Sequence, residues 1–151
     1  MDKIDKKILA VLQRNARASL QEIGQEVGLS PSPCWARIKR LEEDGVIQGY
    51  TVNLNPQALG LNDTVLLMVT LNSHSDNTLE KFGEQLATIP EVVEAHLVSG
   101  TYDYLLRVMV KDTRDYERLL REKLYKIKGI QHSQSMFVLR TLKKAQMPLG
   151  E

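Results

Sequence analysis

Cysteine and tryptophan each occur once in the 151 residues, phenylalanine twice, and neither sign of charge prevails, with 20 Lys+Arg against 19 Asp+Glu. A lone thiol, Cys34, excludes an intrachain disulfide framework and a Cys-rich zinc site, and it suits a reducing compartment. The formal charge of +1 excludes a global basic field, so any surface for an anionic polymer must be local. No apolar run exceeds the five residues Val65–Val69, far below the ~18 to 20 needed to span a bilayer. Met1–Lys7 carries five charged residues, so no apolar leader core is expected there. Phosphate-cradling glycine loops and the GxSxG elbow are absent. The histidines His74, His96 and His132 have no i, i+4 partner and no cysteine nearby, which favours surface or structural roles over metal ligation. No cofactor and no metal site is expected. What the chain does have is 42% apolar residues, enough to build packed cores in one ordinary domain or two small ones.

The first fifty residues read as helical. Ile4, Ile8, Val11 and Leu12 recur at helical spacing on one stripe. Ser19-Leu20-Gln21-Glu22 has the form of a capping box, and Leu20, Ile23 and Val27 continue an apolar face until Gly28 ends it. A third helix opens in Ser30-Pro31-Ser32-Pro33, where a proline in the first turn sacrifices no needed N–H, and stops at Gly45. Three helices with a short glycine-containing turn between the second and third have the form of a helix-turn-helix. From Ile47 to Asn55 the period becomes two, with Tyr50, Val52 and Leu54 alternating against polar residues, which predicts a strand or wing. The stretch Asn55–Gly60, with a proline and a glycine, is expected to be a linker, so domains are placed at 1–60 and 61–151.

The second half alternates: strand 64–72, helix 77–88, strand 92–99, strand 104–110, helix 113–127 and strand 130–142. Asp112 is the expected N-cap of the second of these helices. The order βαββαβ predicts a ferredoxin-like antiparallel sheet, which makes the whole chain α+β. Both helices of such a domain cover one face. Because Leu66 and Met68 make the second face of the first strand apolar as well, another chain is expected to cover it.

Two places could carry chemistry. In the third helix, with Cys34, Ile38 and Leu41 inward, Ser32, Trp35, Ala36, Lys39 and Arg40 lie lateral or outward, with Arg37 at the margin. With Ser30 at the helix start they are the candidate DNA contacts, since basic side chains bind phosphate and a small first turn lets a helix approach base edges. The bland alternative has Trp35 packed under the wing and the basic residues merely solvated. In the second domain, Ser99-Gly100-Thr101-Tyr102-Asp103 joins two strands, with a carboxylate beside exposed backbone N–H groups. Such a turn could seat an amino acid, Asp103 pairing the ammonium and apolar residues such as Met136 sorting side chains. Alternatively Asp103 only caps its own backbone. Cys34 reads as a small core residue.

Five ordered segments resemble the Lrp/AsnC (feast/famine) family of transcription regulators, and within it the leucine-responsive branch. They are Ile4–Leu9, Val27–Cys34, Arg37–Glu42, Gly45–Tyr50 and His96–Leu106. The resemblance implies a cytoplasmic, non-enzymatic regulator. It would have a winged helix-turn-helix on double-stranded DNA and a ligand-sensing, assembling second domain. It also implies homodimers formed through the sheet and wing, stacking into tetramers, octamers or larger discs, with an amino acid bound where dimers meet. By position Gly100, Asp103, Thr113, Met136, Phe137 and Val138 would line that site, with Thr101 and Tyr102 in the same turn. Two competing functions are an effector-independent architectural DNA-binding protein and a small dimeric ferredoxin-like enzyme. Against the enzyme, no acid–base or nucleophile pair emerges at suitable spacing.

Overall fold

The computed structural model describes residues 1–73 and 75–149. His74, one of the three histidines read as structural or surface, lies outside the described residues. The chain divides into two compact units, Met1–Leu54 joined by the segment from Lys143, and Asn55–Leu142. This differs from the division expected at 60/61 in two respects. The turn at Gln57–Leu59 goes with the second unit, and the C-terminal segment goes with the helices of the first. That segment is held to the first unit by backbone and side-chain polar groups: Gln13 Nε2 donates to the Met147 carbonyl at 3.1 Å, and Lys144 Nζ to Asn53 Oδ1 at 3.3 Å.

The first unit contains α1 (Lys3–Arg14), α2 (Leu20–Val27) and α3 (Pro31–Glu43). Each begins where local chemistry satisfies its first N–H groups. Asp2 caps α1 by accepting from Ile4 and Asp5 N–H, both at 2.8 Å, while the Asp5 side chain returns to Asp2 N–H at 2.9 Å. Ser19 and Glu22 form the expected capping box on α2. Gly28 closes α2 at φ +76°, a left-handed geometry that costs a side chain about 1 to 2 kcal/mol. Ser30 stands at the N-cap position of α3 without a side-chain cap bond, followed by Pro31 in the first turn. Ile8, Val11, Ile23, Val27 and Cys34 form the core of the three helices, so Cys34 is a packed hydrophobe as expected.

The second unit contains β1 (Asp63–Leu71), α4 (Asp76–Ala87), β2 (Val92–Leu97), β3 (Tyr104–Val110), α5 (Thr113–Glu122) and β4 (Ile130–Phe137). The sheet order is β2-β3-β1-β4 with every pair antiparallel, the ferredoxin-like arrangement anticipated from the element order. Asp112 caps α5, accepting from Asp115 N–H at 2.8 Å. Val65, Leu67, Val69, Leu71, Leu106 and Val108 point to the helix side and pack with Phe82, Leu86, Tyr116 and Leu119. The opposite face carries Leu66, Met68, Leu105 and Met109, all half-buried, and the exposed Met136.

Three expected elements change. No strand forms over 47–55; the segment has no regular secondary structure, and Tyr50, Val52 and Leu54 are exposed. A strand needs a second strand to satisfy its backbone, and no other segment of the described chain pairs with this one. The last strand ends at Phe137, not Leu142, because β1 begins at Asp63 and the ladder runs out after Val138 N–H reaches the Thr64 carbonyl at 2.9 Å. The second helix of this domain breaks at Lys123 (φ −120°, ψ −64°), leaving a separate turn at Leu124–Lys126.

Candidate nucleic-acid interface and effector site

Along α3 the buried Cys34 and Leu41 turn one side to the core, which leaves Ser32, Trp35, Ala36, Lys39 and Arg40 exposed on the opposite side, with Ser30 exposed ahead of them. These spacings of three and four make a single face. Trp35 is 54% exposed, and Lys39 Nζ lies 5.2 Å from its ring centroid. Instead of packing under a wing, the indole is part of the outward face. Tyr50, in the segment after α3, donates to Glu42 Oε1 at 2.7 Å. Partial desolvation of the hydroxyl and that carboxylate push its phenol up to about 12.

Arg37 departs from this face. Its guanidinium donates to Asp2 Oδ2 and to Asp5 Oδ1, both at 2.7 Å. Arg40 Nη2 reaches the same Asp5 carboxylate at 3.1 and 2.9 Å. Asp5 is the one buried charged residue among the described residues. Burial pushes its carboxyl up, but the Asp2 N–H and the Arg37 guanidinium outweigh that and hold it below the ordinary value. The Asp5 N–H and then Arg37 lower Asp2 to about 2. The periodicity of α3 does not by itself point to these two acids. A signal was present: Asp5 precedes Ile8, Leu9 and Leu12 by three, four and seven residues, which places a carboxylate on the buried stripe where it requires a cation.

The candidate effector residues fall into two groups. Gly100, Thr101, Tyr102 and Asp103 form the turn after β2. There Asp103 N–H donates to the Val69 carbonyl at 2.9 Å, and Asp103 Oδ2 accepts from Leu71 N–H at 2.7 Å. Tyr102 O–H donates to Gln134 Oε1. The Asp103 carboxylate thus has a structural bond of its own at the end of β1. Met136 and Phe137 pair instead with Leu66 and Val65 near the start of β1, and Val138 follows them. Thr113 opens α5 just after β3, whose Val110 pairs with Asp63. From Val65 to Leu71 the strand runs about 20 Å. Along it Val69, which takes the Asp103 N–H, lies about 10 Å from Leu66, which faces Met136, so a single subunit holds the two groups at separate positions on its sheet, with Tyr102 reaching part of the way to Gln134. Over the second group lies an open groove of about 710 Å³ lined by Leu66, Met136, Phe137, Val138, Leu139, Arg140 and Leu142. On the same sheet face Arg107 bonds Glu94 at 2.5 Å and draws its carboxyl below the ordinary range.

Among the described residues no group of three or more His, Cys, Asp or Glu is arranged to hold a metal ion, and no helix is long and apolar enough to cross a membrane.

Comparison with known proteins matches residues 1–48 to the winged helix-turn-helix DNA-binding family and residues 64–148 to the Lrp/AsnC ligand binding domain. The leucine-responsive regulatory protein of Escherichia coli K12 is 40% identical over 145 residues, 96% of this chain and 88% of that protein. A transcriptional regulator from Neisseria meningitidis, solved as an L-Met complex, superposes with a TM-score of 0.93 at 34% identity, covering 99% of this chain and 97% of that one. An AsnC family regulator from Agrobacterium tumefaciens gives a TM-score of 0.94 at 38% identity over the same shares. The helix-turn-helix, the ferredoxin-like sheet and these relatives agree: the chain belongs to the Lrp/AsnC family, and is a DNA-binding transcriptional regulator rather than an enzyme.

Proposed function

We propose that this regulator senses an amino acid through a seat completed between copies of the chain, and reads double-stranded DNA with Ser30, Ser32, Trp35, Ala36, Lys39 and Arg40. The observation that carries the reading is the separation of Gly100–Asp103 from Thr113 and Met136–Val138 along one sheet. Neither group alone offers both a carboxylate for an ammonium and an apolar wall for a side chain, so a second copy must bring the complementary group. The uncovered apolar sheet face supports a homodimer first, with tetramers, octamers or larger assemblies beyond it. The methionine complex of the meningococcal relative supports an amino acid as the ligand class. The work is placed in the cytoplasm, where DNA and free amino acids meet. Ligand must bind two arrangements of the assembly unequally if it is to alter the spacing of the DNA heads.

A mobility-shift titration on DNA from the gene's own upstream region, with a panel of amino acids at fixed salt, tests this. A discrete shift altered by one amino acid is expected, and Asp103→Ala or Met136→Ala should each abolish the response. Binding that is indifferent both to sequence and to every amino acid would support an architectural role instead.

A further inference from the structure

We infer that Asp2 and Asp5 are positioning residues for DNA recognition. They form an acidic clamp that holds the arginines of α3 and keeps their charge from binding DNA indiscriminately. The inference rests on the proposal that α3 contacts DNA. In the structure the four groups are mutually neutral: Asp5 accepts from Arg37 and Arg40, and Asp2 accepts from Arg37. Lys39, the remaining cation of α3, lies 3.7 Å from Glu43. Every cation of the reading helix therefore already faces an anion within its own subunit.

The two arginines are held differently. Arg37 spans both carboxylates and its side chain is 26% exposed, which makes it a strut between α1 and α3. Arg40 is 53% exposed and uses only Nη2 on Asp5. Its side chain is anchored at one end by Asp5 yet remains more than half exposed, so less side-chain freedom is lost when it meets a phosphate or a base edge. A clamp of this kind lowers sequence-independent affinity, which scales with the number of cations free to displace counterions. It leaves geometry-dependent contacts intact, so it improves discrimination at a cost in affinity.

Asp2→Asn is the discriminating variant. Asparagine caps a helix about as well as aspartate, so α1 should survive, while the cluster gains one unbalanced positive charge beside the exposed Arg40. The full-length variant, Arg40→Gln and the double variant are each titrated onto a random-sequence duplex and onto the upstream DNA across a salt series. For Asp2→Asn, random-duplex affinity should rise about three- to tenfold at about 50 mM salt. The log–log salt slope should steepen by about 0.9 per DNA head, and the ratio of specific to random affinity should fall. The double variant should lose the gain. A purely structural role for Asp2 would lower affinity for both DNAs without steepening the slope. That result, or an unchanged slope, overturns the clamp while wild-type binding to the upstream DNA stands. If the wild type binds neither DNA, the reading of α3 falls and the clamp with it.

Discussion

Gly24→Ala offers a severe test of the packing, because helix propensity and tertiary contact predict opposite signs. Gly24 lies inside α2, where alanine would ordinarily stabilise by about 1 kcal/mol. A Cβ built there, however, would come within 2.3 Å of the Leu29 carbonyl oxygen. The Cβ is fixed by the α2 backbone and the oxygen belongs to the Leu29 backbone, so no rotamer change can relieve the contact. Leu29 is also tied to Gly24 by its own N–H, which donates to the Gly24 carbonyl at 3.0 Å. Moving it would displace the turn that launches α3. Overpacking of this kind costs about 1 to 3 kcal/mol and at times more. Taking the upper figure against the propensity gain leaves a net loss of about 2 kcal/mol, or a fall in midpoint of about 8 to 16 °C for a unit of this size. Gly83, in α4, has nothing within 4 Å of its would-be Cβ, so Gly83→Ala should be neutral or stabilising by up to about 1 kcal/mol. Urea titrations followed by far-ultraviolet circular dichroism and by the fluorescence of Trp35, the only tryptophan, report both variants. Gly24→Ala as stable as wild type would refute the close approach of α2 to the start of α3.

Acid should act on the first unit through Asp2 and Asp5. Both carboxyls lie below their ordinary value of 3.8 in the folded chain, Asp2 at about 2, so their stabilisation is complete above about pH 5 and is lost as pH falls through about 2. Arg37→Met should be less stable at neutral pH yet lose less on acidification, so that the two urea-midpoint curves converge near pH 2; parallel curves would contradict the pairing. In the sheet, Leu106→Ala removes a fully buried side chain at the centre of β3 and should cost about 2 to 5 kcal/mol, whereas Leu97→Ala on β2, 62% exposed, should change stability by less than about 0.5 kcal/mol. Scanning calorimetry distinguishes them, and equal effects would mean that the strand faces are misassigned.

Where an element's cause lies within about four residues, it was legible in the chain itself. Ser19 and Glu22 reveal the start of α2, Gly28 its end, Asp112 the start of α5, and the alternation of Val65, Leu67, Val69 and Leu71 the buried face of β1. Caps, left-handed glycines and hydrophobic period are local effects, and the order βαββαβ then leaves few ways to build a sheet. The outward face of α3 was readable for the same reason.

Only the tertiary structure decided what the remaining residues do, because their partners are distant in sequence. Helical position puts Arg40 outward and Arg37 at the margin, but only residues more than thirty positions away make one a strut and leave the other half free. The segment 47–55 has the pattern of a strand but forms none, since pattern describes side chains while a ladder requires a second backbone. The candidate effector residues share a domain in the sequence but are set about 10 Å apart along β1, because strand register brings Asp103 to Val69 and Met136 to Leu66. Local free energies shape the elements of this chain; which charges meet, and which half-sites await a second subunit, follow from long-range pairing that the periodicity of a sequence does not encode.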